Sequence, residues 1–266
     1  MIQSTQKIYN KEILIFAPSK GRASTCSTHN VLPSVVYAIS EDEYEEYKKF
    51  VPEKNLLSVK RNIQEKPVGK VRTLNYLLDN YKTEDNIILF TDDDIKKIYR
   101  ADFLKKWELK PTNEEEIKIL LAKLSLIAKG IGAKIGGFAF LSGGGDLMQM
   151  GGPYGYKLIE KAYIDGKAFI IYEDDGTRFD ETLYLKEDID FNCQSLLKNK
   201  RTLSPRFICF CGQALTNKGG CVDVRTTEKE LEQGSLMLKK YGDMLVLRKS
   251  SRGNGVRKNA IQFGIK

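Results

Sequence analysis

Three consecutive aspartates follow the clearest strand candidate of the sequence. The run 86–90 (NIILF) predicts a buried strand, and Thr91 and then Asp92, Asp93 and Asp94 come directly after it. In open α/β sheets, ligands bind at the carboxyl ends of the strands. Asp92 and Asp94, at positions i and i+2, can share a hard cation such as Mg²⁺ or Mn²⁺, which binds carboxylates together with substrate phosphates. The motif therefore predicts a metal site at which a phosphate-bearing group departs.

The same aspartates also allow a structural interpretation, in which they cap a helix that begins near Ile95. Three adjacent carboxylates repel one another, whereas a cap needs only one of them. The repulsion favours the metal site, but the sequence alone leaves both interpretations open.

Two basic segments are candidates for holding a nucleotide. The segment 17–22 (APSKGR) follows a predicted strand and supplies a turn, a hydroxyl, two cations and a glycine, although it lacks the Gly-Lys-Ser/Thr of a Walker loop. The segment 67–75 (PVGKVRTLN) places Lys70 and Arg72 near a helix start, where anions are favoured. The alternative for each segment is an ordinary solvated turn.

The elements that position these residues alternate along the first half of the chain. Short apolar runs and amphipathic runs follow one another, which is the pattern of βαβ units and predicts the α/β fold class. The predicted strands are 12–17, 35–39, 56–59, 86–90, 135–141, 168–172 and 206–211. The predicted helices are 41–50, 70–81, 113–129 (ended by Gly130), 186–198 and 228–240.

Composition excludes several classes of protein. The chain has 266 residues, of which 41% are hydrophobic and 29% charged, so it can form a sizeable core and is not mostly disordered. No apolar run is long enough to span a bilayer, and the first residues do not resemble a signal peptide. Five cysteines without a framework spacing indicate a reducing, cytoplasmic setting. The net charge of +8 points to a polyanionic partner.

The order of the motifs resembles that of glycosyltransferases of the GT-A fold. FAPSKGRA comes first, then GKVRTLN at 69–75, then the strand with Asp92-x-Asp94, and later KEDIDF at 186–191. More narrowly, APSKGRAST, FTDDDI and LKEDIDF resemble the bacteriophage glycosyltransferases associated with Tet/JBP-type DNA-base oxygenases. The resemblance covers roughly residues 12–200.

The resemblance implies one GT-A domain over residues 1–266. Its nucleotide-sugar-binding half, at 1–95, would be Rossmann-like with a mixed central sheet, its acceptor half would span 96–225, and 226–266 would be a basic C-terminal extension. The implied donor is a nucleotide sugar, with a UDP-sugar expected first. The implied acceptor is a hydroxymethylated pyrimidine, such as 5-hydroxymethylcytosine, in double-stranded phage DNA, which would place the protein in the host cytoplasm and off the membrane.

The resemblance also implies roles for individual residues. Asp92 and Asp94 would bind Mn²⁺ or Mg²⁺ and the diphosphate, and Glu187 or Asp188 would face the acceptor hydroxyl. If the reaction inverts configuration, one of these two acidic residues takes the hydroxyl proton, and we favour Asp188. The implied nucleotide contacts are Pro18, Ser19, Lys20, Arg22, Lys70, Arg72, Asn75, Asp92 and Asp93.

One departure from the GT-A pattern concerns the metal. Many enzymes of this fold supply a histidine ligand from near the C-terminus, but the only histidine here is His29, which precedes the aspartates. The ion would then depend on aspartate, water or the diphosphate.

Several other residues are candidates for contacts with the acceptor. The glycine-rich stretch 142–156, which includes Asp146, could form an acceptor loop. Trp107, Tyr154 and Tyr156 could stack on a displaced base, and the basic segments 198–206 and 248–258 could hold DNA. The alternatives for these residues are core packing and solvated surface. The cysteines are interpreted as structural thiols.

Three other functions remain open at this point. The first is a GT-A transferase that acts on a glycan, a lipid or a protein. The second is a nucleotidyltransferase of similar fold, and the third is a non-catalytic DNA-binding module.

Overall fold

The apolar runs of the sequence form the strands of a large mixed sheet, a smaller sheet and a two-stranded pair. The computed structural model describes residues 9–102, 108–142, 158–160, 164, 166–205, 207–212, 225–248 and 262–265. The strands of this part are β1 (Glu12–Pro18), β2 (Val36–Ser40), β3 (Leu56–Val59), β4 (Asn86–Thr91), β5 (Ile95–Asp102), β6 (Glu108–Pro111), β7 (Ile135–Gly137), β8 (Ala139–Ser142), β9 (Leu158–Glu160), β10 (Ala168–Ile171), β11 (Leu203–Pro205), β12 (Ile208–Gly212), β13 (Leu245–Arg248) and β14 (Gln262–Ile265). The α-helices are α1 (Tyr44–Tyr47), α2 (Gly69–Tyr81), α3 (Glu114–Ile131), α4 (Glu187–Asn199) and α5 (Thr227–Tyr241).

The large sheet is parallel in its first half and mixed in its second. Within the described residues its strand order is β3-β2-β1-β4-β10-β7-β11-β9. The pairs β3–β2, β2–β1 and β1–β4 are parallel, whereas β10 runs antiparallel to both β4 and β7. This topology confirms the predicted α/β class, with a Rossmann-like half in a mixed central sheet.

Alternate side chains of β1 pack against different helices on the two faces of this sheet. Ile13 and Ile15 belong to a buried cluster with Ile117 and Leu121 of α3. Leu14 and Phe16, which point to the other face, belong to a cluster that includes Leu74 and Leu77 of α2. Each face is therefore covered by a helix, which explains why the strand reads as a continuous apolar run.

The segment after the aspartates is a strand, so the helix-cap interpretation of Asp92–Asp94 is wrong. Strand β5 begins at Ile95 and pairs antiparallel with β12 and β6 in the smaller sheet, whose order is β6-β5-β12-β8. The aspartates thus lie where the chain leaves the large sheet and enters the smaller one. Burial of Ile95 and Ile98 in the core stabilises this strand.

Three predicted boundaries are also corrected. The strand predicted over 135–141 is two strands, β7 in the large sheet and β8 in the smaller one, divided at Phe138, whose ring stacks on Phe210 at 5.1 Å. The helix predicted over 41–50 is shorter, with a 3₁₀ turn at Glu41–Glu43 followed by α1. Helix α3 ends at Gly132 and not at Gly130, because Gly132 adopts the left-handed conformation (φ 78°) that closes the last turn.

No described helix is both long and apolar enough to cross a bilayer.

Candidate active site

The loop after β1 and the end of β4 are joined by backbone hydrogen bonds. The carbonyl of Asp93 accepts from the N–H groups of Ser27 (2.9 Å) and Thr28 (3.3 Å). The hydroxyl of Thr28 donates to the carbonyl of Asp92 at 2.7 Å and accepts from the N–H of Ile95 at 2.9 Å. The first predicted nucleotide segment and the aspartate motif therefore form one structural unit.

Asp93 lies inside this unit and not on its surface. Its carboxylate accepts from the hydroxyl of Ser19 at 2.5 Å and lies 3.2 Å from Nη1 of Arg22. Ser19 is held in turn by the hydroxyl of Tyr47 at 2.8 Å. Burial raises the pKa of Asp93 to about 6, against the opposing charge of Arg22. Ser19 and Asp93 are both predicted to contact the nucleotide, but in the structure they form hydrogen bonds and an ion pair with other protein groups.

Asp94 is engaged by the same arginine. Nη2 of Arg22 lies 2.8 Å from Oδ2 of Asp94, whose side chain is 2% exposed. Arg22 therefore bridges two neighbouring carboxylates, and one of them is a predicted metal ligand. Such charge-assisted contacts are among the stronger hydrogen bonds in proteins.

Asp92 has different surroundings. It is half-buried, and its N–H donates to the carbonyl of Lys167 at 3.3 Å. Burial raises its pKa, and the positive charges of Lys70 and Lys167 act in the opposite direction. Asp92 is thus the aspartate of the motif that faces these two lysines.

The predicted metal site does not fit the side chains as they are arranged. A guanidinium holds Asp94, which leaves Asp92 without the second carboxylate that the prediction assigned to the ion. Among the described residues, no group of three or more His, Cys, Asp or Glu side chains is arranged so that it could hold a metal ion. Nδ1 of His29 lies 3.1 Å from the hydroxyl of Tyr37.

A small cavity lies next to Phe90, near the carboxyl end of β4. Its lining includes Lys70 at the start of α2 and the pair Glu187–Asp188 at the start of α4. Nζ of Lys70 lies 3.1 Å from Oε1 of Glu187. The lining residues are Lys70, Leu74, Phe90, Gly166, Phe169, Phe179, Glu187 and Asp188.

Asp188 is held by two backbone groups. The N–H of Gly166 donates to its Oδ2 at 3.2 Å, and the N–H of Ile189 donates to its Oδ1 at 2.9 Å. Each carboxylate oxygen can accept a second hydrogen bond. Asp188 is half-buried, whereas Glu187 is nearly buried and paired with Lys70. The cavity thus combines a cation, an acidic pair and an apolar floor.

The remaining predicted nucleotide residues lie apart from the cavity lining. Pro18 ends β1 and pairs with Ala38 of β2. Nε of Arg72 lies 3.5 Å from Oε2 of Glu181. The charge of Lys20 acts on Asp42 and Glu43, which lie beyond the end of β2. Their roles toward a nucleotide stay predictions.

Asn75 has a structural role that its sequence context did not indicate. Its side-chain amide donates to the carbonyl of Phe179 and accepts from the N–H of the same residue, both at 2.9 Å. It also donates to Oε1 of Glu181 at 3.2 Å. These bonds attach α2 to the segment that leads into α4.

Sequence reasoning missed Gly166 and Lys167. They precede β10, which runs beside β4 with Ala168 opposite Thr91, so the antiparallel pairing brings them next to Asp92. No short motif marks them. The positive charge before an apolar strand is the one signal available in the sequence.

Some of the predicted acceptor contacts fall outside the described residues. They are Asp146, Trp107, Tyr154 and Tyr156, with most of the segments 142–156 and 248–258. Cys221, predicted as a structural thiol, also falls outside them. Within the basic segment 198–206, Lys198 donates to the carbonyl of Asp175. The described cysteines are free thiols, and Cys26, Cys193 and Cys209 are buried, as structural thiols would be.

Comparison with known proteins gives one family match. The family model described as TET-associated glycosyltransferase matches residues 13–220. No curated protein matches the chain.

Solved structures provide distant fold neighbours. The crystal structure of S. aureus TarS 1-349 in complex with UDP-GlcNAc has a TM-score of 0.49 and 13% identity, covering 85% of this chain and 66% of that one. The chain therefore spans slightly less than two thirds of that TarS chain. The same TarS segment in complex with UDP has a TM-score of 0.45 and 12% identity, with 86% and 72% covered.

Proposed function

Because this chain belongs to the TET-associated glycosyltransferase family, we propose that it transfers a sugar from a nucleotide-sugar donor to the hydroxyl of a hydroxymethylated pyrimidine in double-stranded DNA. The observation that carries the proposal is the meeting of Lys70 with the pair Glu187–Asp188 around one cavity, together with the effect of the Lys70 charge on Asp92. These residues come from separate elements, and they meet where α/β sheets bind ligands.

The donor would lie along the carboxyl ends of β1 and β4. Departure of a nucleoside diphosphate leaves negative charge, which fixed cations nearby would stabilise. We propose Lys70 and Lys167, whose charges act on Asp92, for that role. We propose a UDP-sugar as the first donor to test. We assign no step to a metal ion, since Arg22 holds the carboxylate of Asp94.

For transfer with inversion, the acceptor hydroxyl must lose its proton to a base. We propose Asp188 as that base. It lines the cavity and is half-buried, and the N–H groups of Gly166 and Ile189 orient its two oxygens. Glu187 is the weaker candidate, because it is more buried than Asp188 and Nζ of Lys70 lies 3.1 Å from its Oε1.

Two features support DNA as the acceptor. The net charge of +8 favours a polyanion over a neutral glycan or lipid. The family description names TET enzymes, and the motif resemblance links such transferases to hydroxymethylated pyrimidines. A hydroxymethyl group supplies the nucleophilic hydroxyl that glycosyl transfer needs.

Mass spectrometry of nucleosides tests this proposal directly. DNA containing 5-hydroxymethylcytosine or 5-hydroxymethyluracil is incubated with the protein and a set of UDP-sugars, with and without Mn²⁺. The DNA is then digested to nucleosides. We expect a gain of one hexose or N-acetylhexosamine on the hydroxymethylated nucleoside, and none on unmodified cytosine.

The Asp188→Asn variant tests whether turnover depends on the carboxylate of Asp188. It should lose at least about 100-fold in turnover while it still binds UDP, because removal of a general base typically costs 10²–10⁴-fold. Release of UDP without a gain on DNA would contradict the DNA acceptor and retain the transferase. Neither release nor gain with any donor would contradict the proposed function as a whole.

A further inference from the structure

Helix α5 contacts helix α4 on both sides of the pair Glu187–Asp188. Lys186 comes directly before the pair, and Asp190 follows two residues after Asp188. Each of these two residues is bound by a charged or polar side chain of α5. The two contacts therefore bracket the turn that presents the acidic pair to the cavity.

The first contact is a buried carboxylate between two cations. Glu230 of α5 is 2% exposed, and its Oε2 lies 2.5 Å from Nζ of Lys186. Its Oε1 lies 3.1 Å from Nε of Arg225. Lys186 has a left-handed backbone (φ 69°), which is uncommon for a residue other than glycine. The buried ion pair helps to hold this backbone where α4 begins.

The second contact is a buried aspartate on α4. Asp190 is fully buried, and its Oδ1 accepts from Nζ of Lys240 at 2.6 Å and from the hydroxyl of Tyr241 at 2.7 Å. Its Oδ2 accepts from Gln194 at 2.6 Å. Removal of one partner would leave a buried charge without compensation, which is strongly destabilising.

Apolar packing joins the two contacts into one interface. Ile189 and Cys193 of α4 are buried in a cluster with Met237 and Tyr241 of α5. The first turn of α4 therefore cannot rotate or shift without breaking this packing and at least one buried charged contact.

We propose that α5 is a positioning element of the transferase, and that Glu230 and Tyr241 are positioning residues for Asp188 and Glu187. Helix α5 lies beyond residues 13–220, the part that the family model matches, and in the region predicted from sequence as a basic extension. The inference rests on the proposed function, since it assigns α5 a task toward the acidic pair. Neither positioning residue lines the cavity.

Two conservative substitutions test the inference, each with a control on the exposed side of the same interface. Glu230→Gln removes the buried charge, and Tyr241→Phe removes the hydroxyl from Asp190. Glu232→Gln and Tyr184→Phe remove the equivalent groups from an exposed hydrogen bond, in which the hydroxyl of Tyr184 donates to Glu232 at 3.1 Å. All four variants are assayed at a temperature at which circular dichroism shows them folded.

Two readouts separate positioning from general stability. We expect Glu230→Gln and Tyr241→Phe to lower kcat by about tenfold or more, with KM for the nucleotide sugar within about twofold, because small misplacements of reacting groups reduce the rate and not donor binding. Hydrogen exchange at the amides of 187–191 should accelerate by about tenfold. The two control variants should stay within about twofold of wild type in both measurements.

Unchanged kcat in the two test variants of an active enzyme would overturn the inference, whether or not exchange accelerates. An equal loss in the control variants would overturn it as well, because the effect would then be general. Absence of turnover by the wild-type protein on any acceptor would overturn the proposed function and this inference together. That result is obtained before any variant is compared, so the two failures can be distinguished.

Discussion

Nη2 of Arg22 lies 2.8 Å from Oδ2 of Asp94, and the same guanidinium lies 3.2 Å from Asp93 through Nη1. Arg22 belongs to the loop predicted to hold the nucleotide, and Asp94 belongs to the motif predicted to hold a metal. Their ion pair joins the two motifs and supplies, from within the chain, positive charge to a carboxylate pair that would otherwise be repulsive.

This ion pair makes a prediction about metal binding. Without nucleotide, we expect the wild-type protein to bind Mn²⁺ no more tightly than the Asp94→Asn variant, because the guanidinium competes for the Asp94 carboxylate. Electron paramagnetic resonance of free Mn²⁺ during titration measures this affinity. A saturable Mn²⁺ site in the wild type that the Asp94→Asn variant lacks would show that Arg22 gives way to a metal.

Asp93 predicts a pH dependence of stability. Burial raises the pKa of its carboxyl from the ordinary value of 3.8 to about 6, so between these pH values the folded protein holds a proton that the unfolded chain has lost. Raising the pH from 4 to 7 should therefore lower the free energy of unfolding of the wild type relative to Asp93→Asn, by up to about 3 kcal/mol.

Urea denaturation of both proteins across this pH range measures the difference, and other titrating groups cancel in the comparison. A difference that grows in favour of the wild type as the pH rises would contradict the prediction. It would mean that the charge of Arg22 outweighs the effect of burial on Asp93.

The close packing of Gly166 against Asp188 leads us to expect that one added methyl group lowers turnover. A Cβ on Gly166 would lie 2.9 Å from Cβ of Asp188 and 3.3 Å from its Oδ2, so Asp188 or the backbone must move. We expect Gly166→Ala to lower kcat by about tenfold or more, measured by UDP release with DNA as acceptor.

Gly130→Ala is the matched control for Gly166→Ala. Gly130 is exposed inside α3, and an added Cβ there would meet no atom within 4 Å. This variant should keep wild-type kcat and gain up to about 1 kcal/mol of stability, since alanine favours a helix over glycine. Wild-type kcat in Gly166→Ala would argue against a catalytic role for the position of Asp188.

We expect substitution of Asn75 to lower the stability of the protein and not its affinity for UDP. Its amide makes two hydrogen bonds with the backbone of Phe179 and one with Glu181. We expect Asn75→Ala to lower the free energy of unfolding by about 2 kcal/mol or more, because buried backbone groups lose their partners. Calorimetric titration should give a Kd for UDP within about twofold of wild type.

Lys70→Met is the comparison for Asn75→Ala. It removes a cation that faces Asp92, so we expect it to weaken UDP binding by about tenfold. If Asn75→Ala weakened UDP binding as much as Lys70→Met does and left stability unchanged, Asn75 would be a nucleotide contact as the resemblance implied.

Local pattern was sufficient for the strands and helices of the parallel half. The apolar runs that became β1, β2 and β4 can be recognised without tertiary information, because both faces of each of these central strands are buried. The position of Asp92 at the end of β4 follows from the same pattern. The acidic start of α4 is equally local, since it depends on one turn of helix.

Tertiary structure decided what those residues touch. The antiparallel pairing of β10 with β4 brings Gly166 and Lys167 to Asp92, although they lie far apart in the chain. The end of β4 turns into β5 and not into a helix, because this segment pairs with β12 and β6 in the smaller sheet. Neither result has a local signal.

The sequence by itself determined the α/β class, the strand that carries the aspartates and the helix that carries Glu187 and Asp188, because each depends on the periodicity of a few neighbouring residues. Only the tertiary structure decided three sets of contacts. Arg22 forms ion pairs with Asp93 and Asp94, Asn75 forms hydrogen bonds with Phe179, and α5 contacts the start of α4 through Glu230 and Tyr241. These contacts join residues distant in the chain, and their partners are chosen by burial and charge in the folded protein.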